Sequence, residues 1–181
     1  MAIYNVFEST NMASTHYAER IFDAVCDVDV ENGTFGYLEG LADGESHIYN
    51  FKAGTKKGAF VVVADQPAWT EDTGRKTNQR KDKFVIEAGV PFRVRVVKVR
   101  DEFATAVEGF TPDTRDVADA DKYVTIDATT GKLVVADAPV EGAVMNGKIM
   151  RTRVIGSIVT TAVRDYGYSR KMYEVKVETL A

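Results

Sequence analysis

Asp27, Asp29 and Glu31 alternate along the chain just ahead of Asn32-Gly33. In an extended segment that alternation puts three carboxylates on one face, the beginning of an oxygen-ligand set for calcium. No glutamate follows at the distance of a bidentate closing ligand, so a solvated acidic edge is the simpler account. Pro112-Asp113 and Glu174-Val175-Lys176 reproduce the letters of a metal nuclease, in which carboxylates hold the ion and a lysine supports the nucleophile. Here 61 residues and several strands separate the halves, and E-x-K arises on any charged strand face. Cys26 is the only thiol, and His16 and His47 are the only imidazoles. A Cys-His nucleophilic pair is conceivable, but zinc-ligand spacing is absent. A small buried cysteine and two surface histidines are expected instead. Gly33, Gly36, Gly40 and Gly44 recur at turn spacing and precede no strong helix, so no phosphate loop is read there. The expectation is a protein without a catalytic centre, bound metal or cofactor.

The other functional signal is cationic and aromatic. Trp69 precedes a cluster holding Arg75, Lys76, Arg80 and Lys81. Aromatic and basic side chains together can stack on bases and pair with phosphates, or can anchor an acidic protein surface. A merely solvated loop is the third reading. Residues 65–82 are long for a structureless connection, and such connections are usually functional or disordered.

Formal charge is distributed in blocks: −8 over residues 1–74, +7 over 75–100, −7 over 101–145 and +4 over 146–181. Alternating blocks suit contacts between copies or docking on a charged partner, and equally suit pairing of opposite strands within one sheet. The net charge of −4 argues against a general nucleic-acid binder, which needs a net basic face. With 45% hydrophobic and 28% charged residues, the chain has globular rather than disordered usage. At 181 residues it can bury a real core without disulfides or metals. One cysteine forbids an intrachain disulfide and suggests folding in a reducing cytoplasm. No basic-then-apolar leader opens the chain, and no run nears the ~20 apolar residues that span a bilayer, so a soluble protein is expected.

The elements that would carry these groups are mostly strands. Residues 1–13 show no sustained period and read as an extended arm that orders only on a partner. Ser14-Thr15 offers a helix cap, with Tyr17, Ile21, Phe22 and Val25 on one face of a short helix. From Gly33 onward the pattern is β. Asp43-Gly44 marks a hairpin, and Ala59–Ala64 is a continuous run suited to a strand buried on both faces. Along Val90–Arg100 the alternation flips phase, which a β-bulge near Val96–Val97 would absorb. Residues 109–121 form an acidic loop. Tyr123–Ile126 and Lys132–Val135 flank the turn Asp127–Gly131 as a hairpin, and a second hairpin is expected at Asn146-Gly147. Tyr173–Glu178 is a period-2 strand, with Tyr173, Val175 and Val177 on its apolar face. The reading is a mainly β protein, a compact β-barrel or sandwich, with an arm and short helix over 1–32 and a single β-domain over 33–181.

The run Tyr123-Val124-Thr125-Ile126-Asp127-Ala128-Thr129-Thr130-Gly131-Lys132-Leu133-Val134, followed by Gly147-Lys148-Ile149-Met150, resembles small head-associated proteins of tailed bacteriophages and prophages, of the capsid decoration or cement type. The start Met1 to Asn11 is similar to the arm such proteins lay on a capsid. The resemblance covers about a third of the chain, and its motifs are turn chemistry, so it transfers no site residues. It implies a virion structural protein on the capsid surface, made in the host cytoplasm. Its partners would be the major capsid protein and copies of itself, with no membrane and no specific nucleic acid. Another head or tail component, or a soluble ligand-binding β-module, is the alternative. The candidate partner-binding residues are Trp69, Arg75, Lys76, Arg80 and Lys81.

Overall fold

The computed structural model describes residues 3–17, 20–58, 60–64, 82, 84–155 and 170–181, and among these the chain forms eleven strands. They are β1 (Phe7–Asn11), β2 (Ile21–Val25), β3 (Phe35–Leu41), β4 (Ile48–Ala53), β5 (Val61–Val63), β6 (Phe92–Val96), β7 (Glu102–Ala106), β8 (Tyr123–Ile126), β9 (Leu133–Ala136), β10 (Met145–Ile155) and β11 (Arg170–Leu180). Five of them close a barrel in the order β2-β4-β3-β5-β6, with β2 and β4 parallel. The other six form a sheet in the order β1-β7-β11-β10-β8-β9. The mainly β reading holds, and the barrel is present. No described helix is long and apolar enough to cross a membrane.

Phenylalanines fasten the two parts together. Phe35 leaves the barrel wall and meets Phe103 of the sheet at 5.4 Å between ring centroids, while Phe7 stacks on Phe103 at 5.2 Å and Phe60 on Phe35 at 5.6 Å. Around them Val62, Leu133, Ile149, Val175 and Val177 complete one core. A second core fills the barrel with Ala24, Phe51, Val61, Val63, Phe92 and Val94. Val61 and Val63 point into the barrel and Val62 into the shared core, so β5 is buried on both faces as its unbroken apolar run requires.

The β8–β9 hairpin forms as expected, and its turn is wedged against the barrel. The Asp127 carboxylate accepts the N–H groups of Thr129 and Thr130, closing the turn. Gly131, at φ +67°, passes so close to β3 that a Cβ would lie 2.0 Å from the Phe35 carbonyl oxygen. The Phe35 N–H donates to the Gly131 carbonyl at 2.9 Å. A Cβ on Gly54 would likewise meet the Ala128 carbonyl oxygen at 2.1 Å. These glycines are required by close backbone approach as well as by φ.

Four expectations need correction. The N-terminal arm is part of the body: β1 pairs antiparallel with β7, and Val6, Phe7 and Met12 are buried. Phe7 has an aromatic pocket to fill, and the Asn5 amide bonds the Asn32 carbonyl and the Thr105 hydroxyl, so the segment gains enough contacts to order without a partner. The short helix is replaced by a 3-10 turn at Ala13–Thr15 and then by β2. Two or three isolated helical turns have little intrinsic stability, whereas Ile21–Val25 finds ladders on both sides, with β4 and β6. Tyr17, assigned to the apolar face, is exposed.

The long bulged strand over 90–100 instead ends at Val96, and a turn carries the chain from barrel to sheet. Its phase flip marks that crossing: Val97 turns into the shared core, Val99 is exposed, and Arg100 takes φ +76°. The buried Asp101 carboxylate holds the turn by accepting the Lys98 and Ala13 N–H groups, each at 2.8 Å. Finally, Asn146-Gly147 lies inside β10 and makes no hairpin. Its bend is absorbed as a register shift against β11, and the Asn146 side chain is occupied by the Val140 N–H and carbonyl. Gly147 serves packing, since a Cβ there would lie 2.9 Å from a Val175 methyl.

Candidate functional site

On the face of the six-stranded sheet turned away from the shared core, β1, β7, β11 and β10 carry clustered charges. Cross-strand register sets the neighbours: Glu8 faces Ala104, Ala104 faces Glu174, and Glu174 faces Arg151. Arg151 chelates Glu174 through Nε and Nη2. Arg153 spans the row, with Nε 2.7 Å from Glu174 Oε1 and Nη2 bonded to Glu8. A second group forms beside it, where Glu102 accepts from the Asn11 amide at 3.0 Å and pairs with Lys176 at 3.3 Å. The Arg151 hydrogen bond, reinforced by Arg153, holds the Glu174 carboxyl below its usual range. Asn11 first, and then Lys176, does the same for Glu102.

Asn11, Glu102, Met150, Arg151, Arg153 and Glu174 are among the residues that line an open groove of about 710 Å³. Six ionic groups of balanced sign line or flank it, and each has a counter-ion. The arrangement can receive a polar or extended ligand.

A second network lies where two connections leave the body. Arg170, at the start of β11, bonds the wholly buried Asp82 at 2.9 Å and approaches Glu108 at 3.5 Å. Lys132 bridges Glu31 and the Glu108 carbonyl, each at 3.2 Å. The Tyr4 and Asn5 N–H groups donate to the Asp82 carbonyl and to Glu31. The far root of the 65–81 connection therefore touches the far root of the 156–169 connection. Trp69, Arg75, Lys76, Arg80 and Lys81 lie outside the described residues, but the two roots that carry their segment and its neighbour are adjacent.

The structure disperses the groups that could have made a metal or nucleophilic site. Asp27 pairs with Lys52 at 3.4 Å, Asp29 accepts the Ala88 N–H, and Glu31 turns inward to Lys132 and Asn5. Glu174 and Lys176 are committed to Arg151, Arg153 and Glu102, while Asp113 sits in the turn before the 3-10 segment Arg115–Val117. Cys26 is buried in the barrel core, and His16 and His47 are at the surface.

The Glu8–Arg153–Glu174–Arg151 row went unread in the sequence. A signal was present: Arg151 and Arg153 alternate in β10 as Glu174 and Lys176 do in β11, and such alternation marks cross-strand ion pairs once two strands are known to be neighbours. The mistaken hairpin at Asn146-Gly147 broke β10 ahead of that pattern. No family model, no curated protein and no solved structure matches the chain.

Proposed function

We propose that the protein is a non-enzymatic structural component of a phage particle, decorating or stabilising the capsid through its surface. The observation that carries the reading is the Arg170–Asp82 pair, buried at the junction of two connection roots. It joins Asp82 and Arg170, the described residues that follow the segments 65–81 and 156–169 in the chain. In this reading Trp69, Arg75, Lys76, Arg80 and Lys81 of the first segment are the partner-binding residues, aromatic and basic side chains being favoured interface anchors, and Tyr166, Tyr168 and Arg164 offer the same chemistry in the second. Repetition of such modest contacts over a lattice supplies avidity without one tight interface. The two-part core supports this role, because a particle protein needs a stable scaffold that presents loops. Because β1 is paired with β7 within the body, the reading rests on these connections rather than on the N-terminal arm.

The experiment is cosedimentation with capsids formed by the major capsid protein. The wild-type chain should pellet with them, and Trp69→Ala combined with Arg80→Ala and Lys81→Ala should leave it in the supernatant at an unchanged melting temperature. Undiminished pelleting of the triple variant would remove this surface from the interface. The open groove on the outer sheet face favours a second reading, a soluble β-module binding an extended ligand.

A further inference from the structure

Among the described residues, the six-stranded sheet is incomplete along β10. This strand runs from Met145 to Ile155, yet β8 reaches only its first half, pairing at Gly147 and Lys148 and exchanging backbone bonds with Ile149 through Asp121 and Lys122. On its other side β10 stays paired with β11 as far as Ile155↔Arg170. From Arg151 to Ile155, therefore, one edge of β10 meets no strand among the described residues. Alternate residues of that stretch present N–H and C=O groups outward, as any unpaired ladder edge does.

The side chains along the edge specify what fits. Arg151 and Arg153 lie on the charged face, and the Arg151 side chain is 71% exposed, with Nη1 lacking an acceptor among the described residues. On the opposite face Thr152 and Val154 alternate with them, and Val154 is 55% exposed. Met150, extruded at the register shift between Ile149 and Arg151, is 51% exposed beside them. An edge kept only to repel other strands has no use for two bare apolar side chains. A second copy pairing the same edge antiparallel would set arginines against arginines, and like charges directly opposite destabilise a ladder. The row across the sheet reads Glu8, Ala104, Glu174 and Arg151, ending on the basic, exposed Arg151, so an acidic residue is the complement for the next strand.

We propose that the Arg151–Ile155 edge of β10 takes up an extended segment of a partner protein as an added strand, with acidic side chains beside Arg151 and Arg153 and β-branched or apolar side chains beside Thr152 and Val154. Backbone bonds supply the affinity and the alternation supplies the register, as in other strand additions. The inference rests on the binding role proposed above and names the chemistry of one partner segment.

The probe is a labelled peptide of alternating Glu and Val, titrated against the full chain by fluorescence anisotropy, with amide chemical shifts recorded in parallel. The expected result is saturable binding with shifts concentrated at Arg151–Ile155. Lys in place of Glu should weaken binding about tenfold, since two attractive cross-strand pairs become repulsive. N-methylation of alternate peptide amides should abolish it, with no change to the protein. Arg151→Glu should reverse the Glu-over-Lys preference. Equal binding of the Glu, Lys and N-methylated peptides, shifts elsewhere on the protein, or no binding at millimolar peptide would overturn the proposal, as would concentration-dependent self-pairing through β10. Particle association by a wild-type chain that binds none of these peptides would refute the strand addition and leave the particle role standing.

Discussion

Replacing Gly131 with alanine separates two costs that usually come together. Gly131 sits at φ +67°, where an L side chain costs about 1–2 kcal/mol. Its missing Cβ also leaves room for the Phe35 carbonyl oxygen, which would otherwise be 2.0 Å away. No rotamer relieves that contact, because both partners are fixed backbone, so the β8–β9 turn must lift off β3. Lifting endangers the Phe35 N–H to Gly131 carbonyl bond and, next to it, the Gly54 N–H to Phe35 carbonyl bond. Each is worth about 1 kcal/mol net and more if a buried group is left without a partner. The sum is about 3–5 kcal/mol. Gly44→Ala is the matched control, since Gly44 has φ +78° but nothing within 4 Å of its would-be Cβ, and it should cost only the conformational part, about 1–2 kcal/mol. Urea unfolding of the two variants gives the comparison, and for a chain of this size the melting temperatures should fall by roughly 10 °C and 4 °C. Equal losses would show that the turn does not lock the barrel to the sheet.

Val175, wholly buried between the sheet and the barrel, should not tolerate aspartate: Val175→Asp should abolish cooperative unfolding by circular dichroism, whereas Lys176→Ala should shift the midpoint by less than about 1 kcal/mol. Asn146→Ala removes the two bonds to the exposed Val140 N–H and carbonyl, which water can replace, and should cost about 1 kcal/mol in the same assay. Acid should destabilise the protein in a defined window. Glu174, Glu102 and Asp127 all have folded pKa values lowered, so their stabilisation is complete above the unfolded carboxylate range near pH 4 and is lost as pH falls through the folded values. Melting temperature measured from pH 6 to pH 2 should hold above pH ~4.5 and drop below it, and Glu174→Gln should flatten the drop.

Strands with an uninterrupted local signal were legible in the sequence. The apolar run at Val61–Val63, the Asp127–Gly131 turn and the alternation of Tyr173, Val175 and Val177 each carry their own pattern, and each appears as read. What could not be read depended on partners distant in the chain. Ile21–Val25 has a helical spacing of apolar residues, and only barrel closure against β4 and β6 makes it a strand. Residues 1–13 lack a period because their burial comes from single anchors, Phe7 against Phe103 and Asn5 against Thr105, rather than from one repeating face. Asn146-Gly147 has strong turn chemistry, but its asparagine is taken by Val140 and its glycine by close packing on Val175. For the candidate site the same division holds. The alternating charges of β10 and β11 are visible separately, and the row they form exists only in their register.

Quantitative mass spectrometry of washed particles, produced by the cell that encodes the chain, tests the central claim most directly. The account predicts the intact protein at many copies per particle, in a fixed ratio to the major capsid protein that survives repeated density-gradient purification. Particles of full infectivity and stability that contain none of it would contradict the account.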